Sequence, residues 1–257
     1  MCTVSFLPTS QGFYLAMNRD EKRDRSTALA PGVVKLGSRR AIFPREPTGG
    51  TWISANDAGV CLSLINWHRI RREPKHEVVS RGIVVMELAG KSTTDEIANG
   101  VRKLPLRRLR PFRLVSVVPE EGRITEWRWN LQRLTRHHHK WQRQHWFSSG
   151  FDERRAEIER QRVCDAAVAE GDDPGNGSIR AGVKATGYSL SWLRRLHRSH
   201  APKRGAFSIC MHRADSRTVS YTEVTVSKQR ATMRYKSGPP CSNGSIVTKT
   251  ISLAHGL

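Results

Sequence analysis

The sequence predicts an α+β fold, and three observations carry that expectation. Short alternating apolar runs separated by turn residues stand at the amino-terminal end, and similar runs close the chain. Helical patterns occupy stretches between them. Strand-rich ends around interior helices are what a chain shows when its first and last strands share a sheet. No composition break divides residues 1–257, so a single domain is expected.

Taken in order, CTVSFL (2–7) and FYLAMN (13–18) read as strands, with PTSQG between them as the turn. Residues 22–48, rich in Pro, Gly and Arg, read as a long loop. GGTWISANDAGVCLSLINW (49–67) is a second hairpin, turned by Asn56-Asp57-Ala58-Gly59. SRGIVVMEL (80–88) is too short for periodicity to separate helix from strand. Thr93 and Glu96 have capping-box spacing, and Ile97, Val101 and Leu104 follow on one helical face until Pro105 and Pro111. FRLVSVV (112–118) and ITEWRWN (124–130) read as strands around PEEG, and HHHKWQRQHWF (137–147) as a further strand. FDERRAEIERQRVCDAAVA (151–169) is a polar helix, EGDDPGNGS (170–178) a loop, and SLSWLRRLHRSH (189–200) a helix capped by Ser189. Strands are expected at 206–212, 218–226, 230–235 and 245–253.

Bulk properties narrow the classes. A chain of 257 residues with 37% hydrophobic content is long enough to bury a substantial core. The net charge of +21 favours polyanionic contacts, although the arginines are dispersed and form no basic tail. Cysteines at 2, 61, 164, 210 and 241 are odd in number and widely spaced, without CxxC, so neither a disulfide framework nor a zinc knuckle is indicated. No secretory signal and no spanning run of about 18 apolar residues is seen, and a cytoplasmic protein is expected.

The candidate chemistry lies at the start. A turn at PTSQG pairs residues whose numbers sum to about 20, which sets Cys2 beside Asn18. On that register Asn18 and Asp20 share the face of Cys2, and Arg19 points away. Removal of Met1 before a small residue would free the α-amino group of Cys2, whose pKa of about 7.7–8.0 lets it accept the thiol proton. Asp20 would then orient that amine. A partly buried cysteine on a first strand, beside a charged strand end, is the plainer alternative.

The segments MCTVSFLP, GFYLAMNRDEKR and PREPTGGTWISANDAGVCLSLINW resemble the NRDE family, also called the transport-and-Golgi-organisation family. The family is named for the residues matched by Asn18, Arg19, Asp20 and Glu21. The resemblance is specific over residues 1–67. It implies a four-layer αββα sandwich of two antiparallel sheets, of the N-terminal-nucleophile (Ntn) hydrolase kind, and a relation to choloylglycine hydrolases and penicillin V acylases. Carried over from those acylases, the nucleophile falls on Cys2 and the aspartate that contacts its amine on Asp20. Their leading arginine is replaced by Met17, with Arg19 displaced by two residues onto the same strand face. Their oxyanion asparagine corresponds to Asn66, followed by the aromatic Trp67. A second asparagine is met by Ser148 or Ser149, and a late arginine by Arg213 or Arg217.

Two other patterns stand in the sequence. His137-His138-His139 with His145 makes a poor chelate on a strand, and no metal or other cofactor is expected. Trp127, Trp129, Trp141 and Trp146 interleave with Arg128, Arg133, Arg136, Lys140 and Arg143, as a strand with one apolar and one basic face would, or a surface that clamps nucleic acid. The resemblance therefore implies an amidohydrolase or acyltransferase acting on C–N amide bonds through an acyl-cysteine. The alternatives are a non-catalytic carrier or trafficking factor for a small anionic or lipidic ligand, and a charge-driven nucleic-acid binder. The partner expected is a small amide or acyl molecule bearing negative charge.

Overall fold

The computed structural model describes residues 2–169 and 188–254. The 170–178 loop expected above lies outside them. One sheet holds six strands in the order β10-β1-β2-β11-β12-β13, the other seven in the order β3-β4-β5-β6-β7-β8-β9, and all neighbouring strands are antiparallel. The strands are β1 (Cys2–Thr9), β2 (Gly12–Lys22), β3 (Leu29–Leu36), β4 (Arg39–Arg45), β5 (Ile53–Asn56), β6 (Cys61–Asn66), β7 (Phe112–Val118), β8 (Arg123–Trp129), β9 (Leu134–His139), β10 (Gln144–Ser148), β11 (Ser216–Val226), β12 (Arg230–Ser237) and β13 (Ile246–Ser252). The helices are α1 (Gly82–Leu88), α2 (Thr94–Lys103), α3 (Glu153–Ala169) and α4 (Leu190–Arg198).

Alternation along each strand builds the layers. Val4 and Phe6 of β1 and Phe13, Leu15 and Met17 of β2 meet Ile53, Ile65, Val115 and Val117 of the second sheet in a core between the sheets. The intervening side chains, Leu7 and Ala16, pack outward with Phe147 on Cys164 of α3 and Trp192, Leu193 and Leu196 of α4. Leu62, Leu64, Leu114 and Trp127 do the same against Val84, Val85, Leu88, Ile97 and Val101 of α1 and α2. The result is helix, sheet, sheet, helix. The first and last strands do share a sheet, as the α+β reading requires.

Two capping expectations hold at atomic level. Thr93 Oγ1 accepts from the Glu96 amide at 3.1 Å, and Ser189 Oγ accepts from the Trp192 amide at 3.1 Å. The Asn56–Gly59 turn also holds: Asn56 Oδ1 accepts from the amides of Ala58 and Val60, both at 3.0 Å. Within 80–88, Gly82–Leu88 form helix α1.

Four expectations change. Residues 22–48 are not a long loop but contain β3 and β4: Gly32 pairs with Phe43, while Pro31 falls at a register shift and Gly37 in the turn between the strands. Residues 137–147 are not one strand: β9 ends at His139, and β10 joins the other sheet beside β1. Residues 206–212 form no strand beyond an isolated bridge from His212 to Arg217. The fourth concerns register. β1 runs on through Pro8 and Thr9, and Thr9 pairs with Gly12 across a two-residue turn, so paired numbers sum to 21. Cys2 therefore opposes Arg19, not Asn18. Gly12 is required there, because its φ is +144° and a Cβ would lie 2.1 Å from the Val226 carbonyl oxygen. A one-residue slip reverses the face of every side chain on the strand.

Candidate active site

Cys2 belongs to the inter-sheet core at the head of β1, and Arg19 opposes it on β2. A cleft of about 470 Å³ opens there, lined among others by Cys2, Arg19, Trp52, Asn66 and Arg81. Asn66 lines it from the last position of β6, where it pairs with Phe112 of β7. Arg19 is held flat, with its guanidinium carbon 4.1 Å from the Trp52 ring centroid, paired to Glu46 and 3.5 Å from Glu21. Arg25 and Arg110 also line the cleft, so four arginines face the two carboxylates Glu21 and Glu46.

Asn18 and Asp20 belong to the opposite face, contrary to the expected register. Asn18 Nδ2 donates to the carbonyl oxygens of His197 and Ile209, both at 2.9 Å, and Asn18 Oδ1 lies 3.0 Å from His197 Nδ1. His197 Nε2 in turn meets Ser5 Oγ at 3.0 Å, and Ser5 Oγ meets His145 Nδ1 at 2.9 Å. Burial holds both histidines down to a pKa of about 3, so this chain of contacts is neutral.

Asp20 accepts from Thr218 Oγ1 at 2.6 Å and from Arg160 Nη2 at 3.3 Å. Arg160, on α3, is fully buried. Its Nη1 also donates to Thr3 Oγ1 at 3.0 Å and to the Cys2 carbonyl oxygen at 3.3 Å. One guanidinium thus ties the aspartate to the backbone of the candidate nucleophile. Burial raises the pKa of Asp20, opposed first by the Arg160 charge and then by that of the amino terminus. Burial likewise raises the Cys2 thiol; the positive amino terminus pulls it down, the Asp20 charge pushes it up and a hydrogen bond from the Asp20 backbone pulls it down. Asp20 therefore reaches the thiol through its main chain while its carboxylate sits on the far side of β2.

The remaining candidates are spread out. Ser148 opposes Cys2 in the β1–β10 ladder, but neither it nor Ser149 lines the cleft. Trp67 leaves β6 with its amide bonded to the Pro111 carbonyl oxygen at 3.2 Å and is not part of the lining. Arg213 stacks on Phe151 at 4.6 Å and pairs with Asp215 at 3.0 Å, and Arg217 opposes Glu21 in the β2–β11 ladder; both lie outside the cleft lining. His137, His138 and His139 face Thr135, Thr125 and Glu126 separately, at 3.2, 3.1 and 3.0 Å.

Sequence reasoning missed Arg81 and Arg160. Arg81 precedes α1, donates to the Pro111 carbonyl oxygen at 3.0 Å, and is brought down to a pKa of about 10 by burial and then by the Arg110 charge. Nothing local marks either residue among 44 Lys and Arg.

Two antiparallel sheets between helical layers make the αββα sandwich that the family resemblance implied. Conjugated bile acid hydrolase from Clostridium perfringens, solved as its C2A mutant, superposes with a TM-score of 0.53 at 10% identity, covering 100% of this chain and 97% of that one. Penicillin V acylase from Agrobacterium tumefaciens gives a TM-score of 0.49 at 10% identity over 96% of this chain and 85% of that one. At such identity the first likeness shows the fold. Residues 1–152 match the model of the family described as Transport and Golgi organisation 2, and the chain belongs to that family. No curated protein sequence matches it. No helix among the described residues is long and apolar enough to cross a membrane.

Proposed function

We propose that this protein is an amidohydrolase or acyltransferase that uses Cys2 as nucleophile on a small amide carrying negative charge. The observation that carries this reading is the meeting of Cys2, Arg19 and Asn66 in one cleft. Once Met1 is removed, the α-amine of Cys2 takes the thiol proton and sulfur attacks the amide carbonyl carbon. The C–N bond then breaks, the proton leaves with the amine, and water or another amine cleaves the thioester. Asn66, in the same cleft, would donate to the developing oxyanion, a role worth about 3–4 kcal/mol where a single such donor has been removed. Arg160 and Asp20 position the strand end that carries the thiol. Arg19, Arg25, Arg81 and Arg110 favour a substrate carboxylate over a cation.

The test is intact-mass and peptide mass spectrometry of the purified protein, with and without a panel of carboxylated acyl amides. The expected result is a chain beginning at Cys2 with an acyl adduct on that residue, absent in Cys2→Ala. A thiol reagent, followed residue by residue in the wild-type chain, should label Cys2 faster than Cys61, Cys164, Cys210 and Cys241, although Cys241 is the exposed one. Retained Met1 together with no adduct would defeat the proposal.

A second reading, a carrier that binds the same ligands without turnover, draws on the burial of Cys2, 6% exposed with its thiol pKa raised. Equal ligand affinity in wild type and Cys2→Ala, with no adduct in either, would decide for it.

A further inference from the structure

On the far side of β2 from the cleft, four side chains from three separate segments converge. His200 follows α4, Cys210 and His212 lie in the irregular stretch before β11, and Cys241 lies in the turn between β12 and β13. Their ligand atoms all fall within 4.8 Å of one another. His212 Nε2 is 3.2 Å from His200 Nε2, 3.5 Å from Cys210 Sγ and 3.4 Å from Cys241 Sγ.

Hydrogen bonding does not account for this. A ring nitrogen has a single in-plane lone pair or N–H, so it makes one good hydrogen bond, not three. Ligands sharing a central ion do approach in this way. At ordinary zinc bond lengths, tetrahedral ligands stand about 3.3 Å apart for two nitrogens and about 3.5 Å for nitrogen and sulfur. The three contacts of His212 match those edges.

We propose that His200, Cys210, His212 and Cys241 form a four-coordinate structural zinc site. Two sulfurs and two imidazole nitrogens are the donor set that selects zinc. Binding deprotonates both thiols and releases two protons, so Zn²⁺ and two thiolates add no net charge to a chain already at +21. Arg204 Nη2, 3.4 Å from His212 Nδ1, gives up that long contact, because metal at Nε2 leaves the ring proton on Nδ1.

The site answers a structural need. Ser208, Ile209, Cys210 and Met211 are buried, yet they belong to no helix or strand. A few main-chain bonds hold them, among them the Cys210 amide to the Ser199 carbonyl oxygen at 2.9 Å and the Thr218 amide to the Met211 carbonyl oxygen at 2.9 Å. A metal would clip this stretch to the end of α4 and to the β12–β13 turn. It would also fix the Ile209 carbonyl that Asn18 grips. The sequence spacing conceals the set, because no two ligands but Cys210 and His212 are near neighbours in the chain.

The test measures metal content and cobalt spectra on the full chain, reconstituted with zinc or cobalt(II) ions alone. The expected result is close to one equivalent of zinc per chain and, with cobalt, a thiolate charge-transfer band beside strong four-coordinate visible absorption. Cys241→Ser, a surface change, and His200→Ala should each lose the metal and the band while keeping the far-ultraviolet circular dichroism of a folded chain. A chelator should lower the wild-type melting temperature and leave that of either variant unmoved. Metal held by His137–His139 alone would give no thiolate band and would count against the proposal. So would a Cys210–Cys241 disulfide with no metal bound, or variants that retain wild-type metal content.

Discussion

The two faces of the β1–β2 ribbon do different work with adjacent residues. The face toward the second sheet carries Cys2 and Arg19 into an open, arginine-lined cleft. The face toward α3 and α4 carries Asn18 and Asp20 into a closed network with Arg160, Thr218 and His197. A four-residue motif that reads as one cluster is thus divided by strand alternation into groups that line the cleft and groups that are buried against α3, α4 and β11. Substitutions on the closed face should cost stability, and those on the open face should cost rate.

The largest effect is expected from Arg160→Met, which removes the Arg160 guanidinium from the buried Asp20 carboxylate. Breaking such a pair costs about 3–5 kcal/mol. Urea denaturation checks this, and Asp20→Asn in the same chain should recover part of the loss. Asn66→Ala gives the opposite signature: a drop of about 10²–10³ in acylation rate with the urea midpoint unchanged. If the midpoint moved and the rate did not, the division between the faces would fail.

Asn18→Ala removes two donors from buried carbonyls and is expected to cost about 1–3 kcal/mol while sparing the labelling rate of Cys2. An effect of similar size is expected in pH. His197, held at about 3 in the fold against 6.5 when unfolded, is neutral when native. The unfolded chain therefore binds more protons below pH 6.5. The stabilisation is present above that value and is lost as pH falls toward 3, with a slope of up to about 1.4 kcal/mol per unit for one histidine. Stability measured from pH 7 to 4.5 in wild type and His197→Gln should show a shallower slope in the variant.

Much of this was legible in the residues. The alternation of Val4 with Phe6 and of Phe13, Leu15 and Met17 announced strands with one buried face. Thr93 and Ser189 announced helix starts, and the family resemblance pointed to Asn66, which lines the cleft. The register was not legible, because PTSQG is compatible with turns of different length, and one residue decides which side of β2 each motif residue takes. The strand expected over 137–147 failed for a related reason. Apolar alternation marks a strand but not its sheet, so the turn that sends β10 to β1 was invisible. Arg160 looked like any arginine on a polar helix.

The sequence by itself determined the strand-rich ends, the capped helices and the cysteine that opens β1, because these rest on periodicity and on contacts between near neighbours. Only the tertiary structure decided that Arg160 would touch the carbonyl of a residue 158 positions away, or that His200 and Cys241 would meet at His212. Such meetings are set by how whole layers pack. No local pattern carries that information, since the energy that selects it is shared across the core between the sheets and the helices that cover them.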